Sequence, residues 1–290
     1  MVSFIFSLLA RLPLGLLQRC GFIAGWLTYA LSPTYRRRLR ANLEQALGAE
    51  TASKVWRRAV GETGKQALEL PWVLLRPQQE LFAKVVKVSG WEHVEAAEVR
   101  DGGIVFITPH LGCFEISAQF FSSHKPITVL YRAPKKAVLQ PLINAGRSRG
   151  NMRLAPADTS GVRRLIKALR AHEAVGMLPD QVPGGGEGAW LPFFGRPAYT
   201  MTLGARLTEL PGVTTLFAWA ERLPGGQGFH LHLRPPQHPL EGDTEARAAA
   251  INREMEAQIR ENPAQYLWGY NRYKRPSGAP PAPTTRENQE

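Results

Sequence analysis

The sequence predicts an α/β protein with a central, mostly parallel sheet flanked by helices. Three short apolar runs support this prediction, namely GIVFIT from Gly103, ITVLYR from Ile127 and AVGML from Ala174. The first is apolar on both faces, as strands buried in parallel sheets are. From Gly90 onward such runs alternate with helical patterns, which is typical of βαβ units.

Helical patterns precede and follow these runs. Between Tyr35 and about Leu75, leucines recur every four residues with arginines between them. A second helix is expected to begin near Phe114, and a third is expected over 158–171, where Asp158, Thr159 or Ser160 can cap it. A fourth runs from about Thr244 to Glu261. Residues 212–222 and 229–234 are predicted to form a hairpin at the edge of the sheet.

The N-terminal segment is almost wholly apolar up to Leu31. Its uncharged run between Arg19 and Arg36 is shorter than the roughly 20 residues that span a bilayer comfortably. Further arginines follow at 37, 38 and 40. The pattern indicates a membrane-anchoring helical segment, which either spans with snorkelling arginines or lies in the interface. A buried helix pair is the alternative. A secretory signal fits poorly, because the extreme N-terminus lacks a positive region.

The chain is strongly basic, with 36 Lys and Arg against 24 Asp and Glu, a net charge of +12 and a pI near 10.1. Such a charge favours an anionic partner. A membrane-tethered nucleic-acid-binding protein is one reading, but the sequence lacks a helix-turn-helix, a zinc module and an aromatic RNA-binding signature. Nucleic acid is therefore not expected. The two cysteines, Cys20 and Cys113, form neither a disulfide framework nor a zinc motif, which suggests a reducing environment.

Polar side chains follow each of the three predicted strands. His110 comes after GIVFIT, Arg132 ends ITVLYR, and Asp180 with Gln181 follows AVGML. Ligands of open parallel sheets bind at the carboxyl ends of the strands. If the three strands are neighbours, an imidazole, a guanidinium and a carboxylate share one rim.

The motif HLGCFE contains the sharpest candidate pair, His110 and Glu115. A carboxylate that accepts the proton of one ring nitrogen leaves the other free as a base, which can deprotonate an alcohol. The simpler alternative is a strand-end histidine bonded to the backbone. Cys113 lies between the two residues and offers a thiol nucleophile instead, although free cysteines are more often inert and buried. No GxSxG elbow surrounds any serine.

Two sets of basic residues follow the second strand, and the first suits a phosphorylated lipid head group because arginine binds phosphate in a bidentate way. Its members are Arg132, Lys135, Lys136, Arg147, Arg149 and Arg153. The second set forms a solvated helix face or a docking surface for an acidic carrier: Arg163, Arg164, Lys167 and Arg170. Trp190, Phe193 and Phe194 are expected either to line an acyl-chain groove or to belong to the core.

Taken together, these motifs resemble the lipid A biosynthesis acyltransferases of the lysophospholipid acyltransferase superfamily, from the N-terminus to about Pro276. HLGCFE resembles that superfamily's His and acidic pair, with the Glu typical of the lipid A branch. The segments YRAPKKAVLQPLINAGRSRGN, LPDQVPGGGEGAWLPFFGRPAYT and PAQYLWGYNRYKRP resemble three further family blocks.

The resemblance implies that His110 and Glu115 are the catalytic pair, and that Arg132, Arg149 and Asp180 support catalysis or bind substrate. It implies acyl transfer from an acyl carrier protein thioester to a hydroxyl of a phosphorylated lipid A precursor, on the cytoplasmic side of the inner membrane. The same chemistry on another glycolipid or an aminolipid stays open. No cofactor and no metal are expected.

The expected organisation has three parts. Residues 1–45 form the membrane-associated helical segment, 46–275 the acyltransferase domain, and 276–290 a disordered tail that is rich in proline and polar residues.

Overall fold

A seven-stranded sheet forms the centre of the computed structural model, which describes residues 2–100, 102–134, 139–184 and 186–283. Its strand order is β1-β9-β8-β2-β5-β3-β4, and all neighbours are parallel except β8 and β9. The strands are β1 (Val85–Ser89), β2 (Ile104–Ile107), β3 (Ile127–Tyr131), β4 (Met152–Pro156), β5 (Ala174–Met177), β8 (Thr214–Arg222) and β9 (Phe229–Arg234). A separate antiparallel hairpin consists of β6 (Gly188–Phe193) and β7 (Arg196–Met201).

Helices flank the sheet, and apolar clusters fill the space on both of its faces. The helices of the described residues are α1 (Val2–Arg11), α2 (Leu14–Leu31), α3 (Pro33–Leu75), α4 (Gln78–Phe82), α5 (Trp91–Val99), α6 (Phe114–Ser122), α7 (Gln140–Arg147), α8 (Thr159–Arg170), α9 (Leu203–Thr208) and α10 (Thr244–Glu261). The α/β fold with a mostly parallel sheet flanked by helices is therefore confirmed.

The three apolar runs form β2, β3 and β5, and the predicted helices form α3, α6, α8 and α10. Asp158 caps α8 by accepting hydrogen bonds from the backbone of Ser160 and Gly161. The prediction that the hairpin lies at the sheet edge is wrong, because β1 pairs with β9 and β8 pairs with β2. The sequence VVKVS of β1 is short and half exposed, so its pattern gave no strand signal.

The N-terminal helices pack closely on α3 through glycines. A Cβ atom on Gly25 would lie 2.2 Å from the carbonyl oxygen of Val60, and one on Gly64 would lie 2.0 Å from that of Gly21. Because glycine has no Cβ atom, the backbones of α2 and α3 can come into contact at these positions. The expected boundary at 45/46 falls within α3, which bends at Gly48, where φ is +76°.

The outer face of α1 and α2 exposes large apolar side chains to solvent, and those of Phe4, Ile23 and Leu31 are 72%, 59% and 81% exposed. The inner face is buried, as Leu14 and Leu17 show. Among the described residues, none of the helices is long and apolar enough to cross a bilayer.

Part of the expected tail contacts the rest of the protein. Ala279 is buried, and the indole nitrogen of Trp190 donates a hydrogen bond to the carbonyl of Pro280 at 3.0 Å. Residues 284–290 lie outside the described residues.

A buried ion cluster joins the sheet to the N-terminal helices. The guanidinium of Arg222 on β8 donates to Glu69 at 2.6–2.8 Å and to Glu62 at 2.9 Å, both on α3. Gln18 of α2 donates to Glu69 at 2.8 Å. Burial alone would lower the pKa of Arg222, but the charges of the two glutamates outweigh burial and raise it.

Replacing Arg222 by Met is expected to lower the free energy of unfolding by about 3–5 kcal/mol, because Glu69 is left buried with uncompensated charge, whereas Glu62 keeps its ion pair with Lys65. Arg153→Met is the matched control: its side chain is 61% exposed in the pair with Glu173, so the expected loss is below about 1 kcal/mol. Urea unfolding measures both values. Equal losses in the two variants would contradict the cost assigned to burial.

Candidate active site

The strand order brings the predicted rim residues together. Strands β2, β5 and β3 are parallel neighbours, so their carboxyl ends meet at one edge of the sheet. His110 follows β2, Asp180 follows β5 and Arg132 follows β3. The three predicted residues therefore share this edge, where ligands of open parallel sheets bind.

The imidazole of His110 is held on both sides. Its Nδ1 lies 2.7 Å from Oδ1 of Asp180, and its backbone N–H donates to Oδ2 of the same carboxylate at 2.9 Å. The amide nitrogen of Gln181 lies 3.1 Å from Nε2. A carboxylate at Nδ1 retains the proton there, so Nε2 is the basic atom, and its lone pair accepts the hydrogen bond of Gln181.

Asp180 is buried and is itself surrounded by polar groups. Burial raises the pKa of Asp180, but the charge of His110 and its two hydrogen bonds outweigh burial and hold the pKa below the usual value. Burial raises the pKa of the Tyr266 phenol well above its usual value, and the charge of this carboxylate adds to the increase. The buried guanidinium of Arg272 adds positive charge nearby and is fixed by the carbonyl of Tyr199 at 2.7 Å.

Glu115 binds a different partner from the one that the motif predicts. The carboxylate accepts two hydrogen bonds from Arg147 of α7, one of them from Nε at 3.0 Å. The predicted contact with the His110 ring is replaced by that of Asp180. Phe114, not Glu115, faces the imidazole edge-on at 4.7 Å. Because successive residues of a helix point about 100° apart, Glu115 turns away toward α7.

The ion pair with Glu115 stabilises the charged form of Arg147. Burial lowers the pKa of Arg147, yet the charge and hydrogen bonds of Glu115 outweigh burial and raise it. The guanidinium also lies 5.4 Å from the ring centre of Tyr131. The pair is a fixed, charged feature beside the histidine.

Two cavities meet at this pair. A cleft of about 260 Å³ is lined by His110, Arg132 and Gln181 together with Glu115 and Arg147. A second, mostly apolar cavity of about 280 Å³ lies between α3 and α6, and it shares Glu115, Arg147 and Phe114 with the cleft. Its other walls include Thr63, Ala67, Leu70 and Val73 of α3. The arrangement places a base beside a polar cleft that adjoins space for an apolar chain.

Comparison with known protein families gives a match over nearly the whole chain. Residues 1–275 match the family model described as bacterial lipid A biosynthesis acyltransferase. The chain belongs to this family. It is an acyltransferase, and the family supports a lipid A-type acceptor.

Individual relatives are similar over most of the chain. A lipid A biosynthesis lauroyltransferase of Escherichia coli (strain K12) is 26% identical over 279 residues, which are 94% of this chain and 90% of that protein. A palmitoleoyltransferase of lipid A biosynthesis from the same organism is 28% identical over 66% of this chain and 62% of its own length. A myristoyltransferase from that organism is 26% identical over 87% and 78%.

Cys113 of this acyltransferase is poorly suited to act as a nucleophile. Burial, with a smaller contribution from the charge of Glu69, raises the pKa of its thiol well above the usual value. The reactive form is the thiolate, so such a thiol is inert at neutral pH. Its backbone N–H donates to the carbonyl of Ala220 at 2.8 Å, which ties this loop to β8.

Arg149 lines neither of these cavities, and its donors are engaged by backbone carbonyl groups. Its guanidinium donates to the carbonyls of Val73 at 2.7 Å, Gly146 at 3.0 Å and Arg76. It therefore ties the end of α7 to the end of α3. Lys135 and Lys136, which the sequence placed in the phosphate-binding set, lie outside the described residues.

Of the three aromatic residues after the glycine-rich loop, Phe193 and Phe194 belong to the main core, and the half-buried Trp190 packs against a smaller apolar cluster. Phe193 and Phe194 are buried and contact each other, with their ring centres 5.0 Å apart. Phe114 lines both cavities of the site instead. The sequence assigned no role to Tyr266 or Arg272, although both lie in a segment that resembles a family block. Their proximity to Asp180 arises only when folding brings distant segments of the chain together.

We expect Asp180→Asn to destabilise the acyltransferase at neutral pH. The folded-state pKa of Asp180 lies below its unfolded value of about 3.9, so its contribution is complete above that value. The contribution is lost as the pH falls through the folded pKa. The difference in unfolding free energy between wild type and variant should therefore shrink in acid, as measured by urea unfolding at a series of pH values.

Gln181→Ala serves as the matched control, since it removes the other contact of the His110 ring without removing a carboxylate. Its stability difference from wild type should not change over the same acid range. An Asp180→Asn difference that stays constant in acid would contradict the depressed pKa.

Proposed function

We propose that this acyltransferase moves a fatty acyl group from an acyl carrier protein thioester to a hydroxyl of a lipid A precursor, with His110 as general base. The observation that carries the proposal is the hydrogen bond of 2.7 Å between His110 and the buried Asp180, at the wall of an open cleft. This bond leaves Nε2 as the basic atom.

The proposed reaction needs no enzyme-bound acyl intermediate. Nε2 of His110 takes the proton of the acceptor hydroxyl while the hydroxyl oxygen attacks the thioester carbonyl. The tetrahedral intermediate collapses, the C–S bond breaks, and the leaving thiolate takes the proton from the imidazolium. An ester and a free carrier thiol result, and His110 returns to its starting form.

Glu115 contributes to this site through Arg147 in our proposal. The ion pair holds the guanidinium of Arg147 at the cleft, which the exposed side chain of Arg132 also lines. Two guanidinium groups suit the phosphate of a lipid A precursor, because arginine matches phosphate oxygens in a bidentate way. Arg132 is the better placed of the two, since it is exposed and lines the cleft.

The apolar cavity between α3 and α6 supports the assignment of a lipid substrate. Its walls at Ala67, Leu70, Val73 and Phe114 offer apolar surface within reach of the base. Burial of an alkyl chain there gains about 0.8 kcal/mol for each CH₂ group.

An acidic carrier protein is proposed to approach through basic surfaces. The exposed face of α8 carries Arg163, Arg164, Lys167 and Arg170. Complementary charge mainly accelerates such encounters and makes them dependent on salt.

Membrane association is proposed through the outer face of α1 and α2. Apolar side chains are exposed along it, and the arginines at 36 and 37 in the first turns of α3 are exposed next to it. An apolar face beside cations is typical of helices that lie in the interface of anionic lipid. We propose the cytoplasmic face of the inner membrane as the location.

The mechanism predicts that His110→Ala lowers the rate of acyl transfer about 10²–10⁴-fold, because the general base is lost. Asp180→Asn should cause a loss of similar order by destabilising the reactive tautomer. Glu115→Gln should instead act mainly on the KM for the phosphorylated acceptor. The assay uses purified protein, acyl carrier protein with a labelled acyl group, and lipid A precursor in detergent.

The control is His124→Gln, an exposed histidine on the surface, which should retain the wild-type rate. Near-normal transfer by His110→Ala would refute the mechanism. A larger loss of kcat in Glu115→Gln than in Asp180→Asn would restore the direct pair of His110 and Glu115. Mass spectrometry of lipids from cells with and without the gene identifies the acceptor, and an altered glycolipid or aminolipid other than lipid A would contradict the proposed acceptor.

Replacing Leu27 and Leu31 together by Glu is expected to weaken binding to anionic phospholipid vesicles about tenfold or more, since two exposed apolar side chains no longer enter the interface. Flotation of vesicles with bound protein measures the effect. Val99→Glu changes an even more exposed apolar side chain on α5 and should leave binding unchanged. Equal binding by both variants and wild type would exclude this face as the membrane contact.

A further inference from the structure

A second cluster of reactive side chains lies on β8 and β9, away from the acyl-transfer cleft. Glu221 of β8 is directly opposite His230 of β9, and His232 is two residues further along the same strand. Residues two apart on a strand point to the same face. One carboxylate and two imidazoles therefore project together from one side of this antiparallel pair.

The possible ligand atoms converge to distances that suit a metal ion. Oε2 of Glu221 lies 3.3 Å from Nε2 of His232 and 3.9 Å from Nδ1 of His230. One ligand atom from each of the three residues lies within 4.8 Å of the others. A tetrahedral zinc ion with bonds of 2.0–2.1 Å spaces its ligand atoms about 3.3 Å apart. A small inward movement of His230 completes such a set.

Two of the atoms that would not bind the ion have hydrogen-bond partners, and the third residue is held by ring stacking. Nε2 of His230 lies 2.8 Å from the hydroxyl of Ser89, which leaves Nδ1 directed at Glu221. Oε1 of Glu221 accepts a hydrogen bond from Asn262 at 3.0 Å. The ring of His232 stacks on Trp219, with ring centres 4.5 Å apart and planes 6° apart. Contacts of this kind orient the ligands of known metal sites.

Solvent can reach the cluster. The side chains of His230, His232 and Glu221 are 13%, 27% and 29% exposed. A cleft of about 300 Å³ opens beside Glu221 and gives solvent a path to its carboxylate. The surrounding charges are mixed: Lys87 of β1 faces His230, while Lys54, Arg58 and Glu261 line the cleft. The affinity for a cation must therefore come from the direct ligands.

We propose that Glu221, His230 and His232 bind one divalent transition-metal ion of the zinc class. Two imidazoles and one carboxylate are ligands that Zn²⁺ shares with Co²⁺ and Ni²⁺. The ion would clamp β8 to β9 next to Ala220 and Arg222, which hold the loop that follows His110. The site is separate from the acyl-transfer chemistry, which needs no metal.

The test uses the full chain, treated with a chelator and then dialysed. Titration with Zn²⁺ in a calorimeter is expected to show one ion per chain, and Co²⁺ should give the visible absorption of a tetrahedral complex. His232→Gln and Glu221→Gln should abolish both signals. Ser89→Ala keeps all three ligands and should weaken Zn²⁺ binding about tenfold, because it removes only the orienting hydrogen bond.

Two controls separate this site from others. His238→Gln alters an exposed histidine beyond the cluster, and His110→Ala removes the catalytic imidazole; both should bind Zn²⁺ like wild type. Circular dichroism verifies that each variant is folded. Binding that is equally tight in wild type and His232→Gln, or absent from folded wild type, would overturn the proposal and leave the cluster as a hydrogen-bonded polar group.

Discussion

The bond between His110 and the buried Asp180 depends on two neighbouring parallel strands that end at the same level. Residues of β2 and β5 pair in register from Ile104 and Ala174 onward, so the loops after them begin side by side. The carboxylate then reaches both the ring and the backbone N–H of His110. This double contact fixes the orientation of the imidazole. The chemistry that we propose for the cleft and its charged lining residues depends on that orientation.

The loop after His110 is held from the opposite side by the ion cluster of α3 and β8. Arg222 and Gln66 both donate to the carbonyl of Gly112, at 3.3 Å and 3.2 Å. Gly112 has a φ of +62°, and a Cβ atom there would lie 1.9 Å from the carbonyl oxygen of Ala220. The glycine of HLGC is thus required by backbone approach. The N-terminal helices and the loop after His110 are consequently parts of one packed unit.

The role of Glu115 illustrates how far a motif can be interpreted. Its spacing from His110 allowed a direct contact, and the structure places both residues on one cleft. Which carboxylate meets the imidazole is decided by helix phase and by strand order, because Phe114 takes the position facing the ring and Asp180 approaches from β5. The same dependence explains why the charges of Arg272 and Asp180 and the phenol of Tyr266 influence one another only in the folded chain.

Local pattern in the sequence determined the α/β class, the strands β2, β3 and β5, the long α3 and the cap of α8, because hydrophobic periodicity and capping are properties of neighbouring residues. It also determined that His110, Arg132 and Asp180 follow strand ends. Tertiary structure alone decided that those strands are adjacent and that β1 pairs with β9. It also decided that the side chain of Glu221 lies close to those of His230 and His232. Pairing between distant segments has no local signature, since it is set by how the whole chain buries its apolar faces.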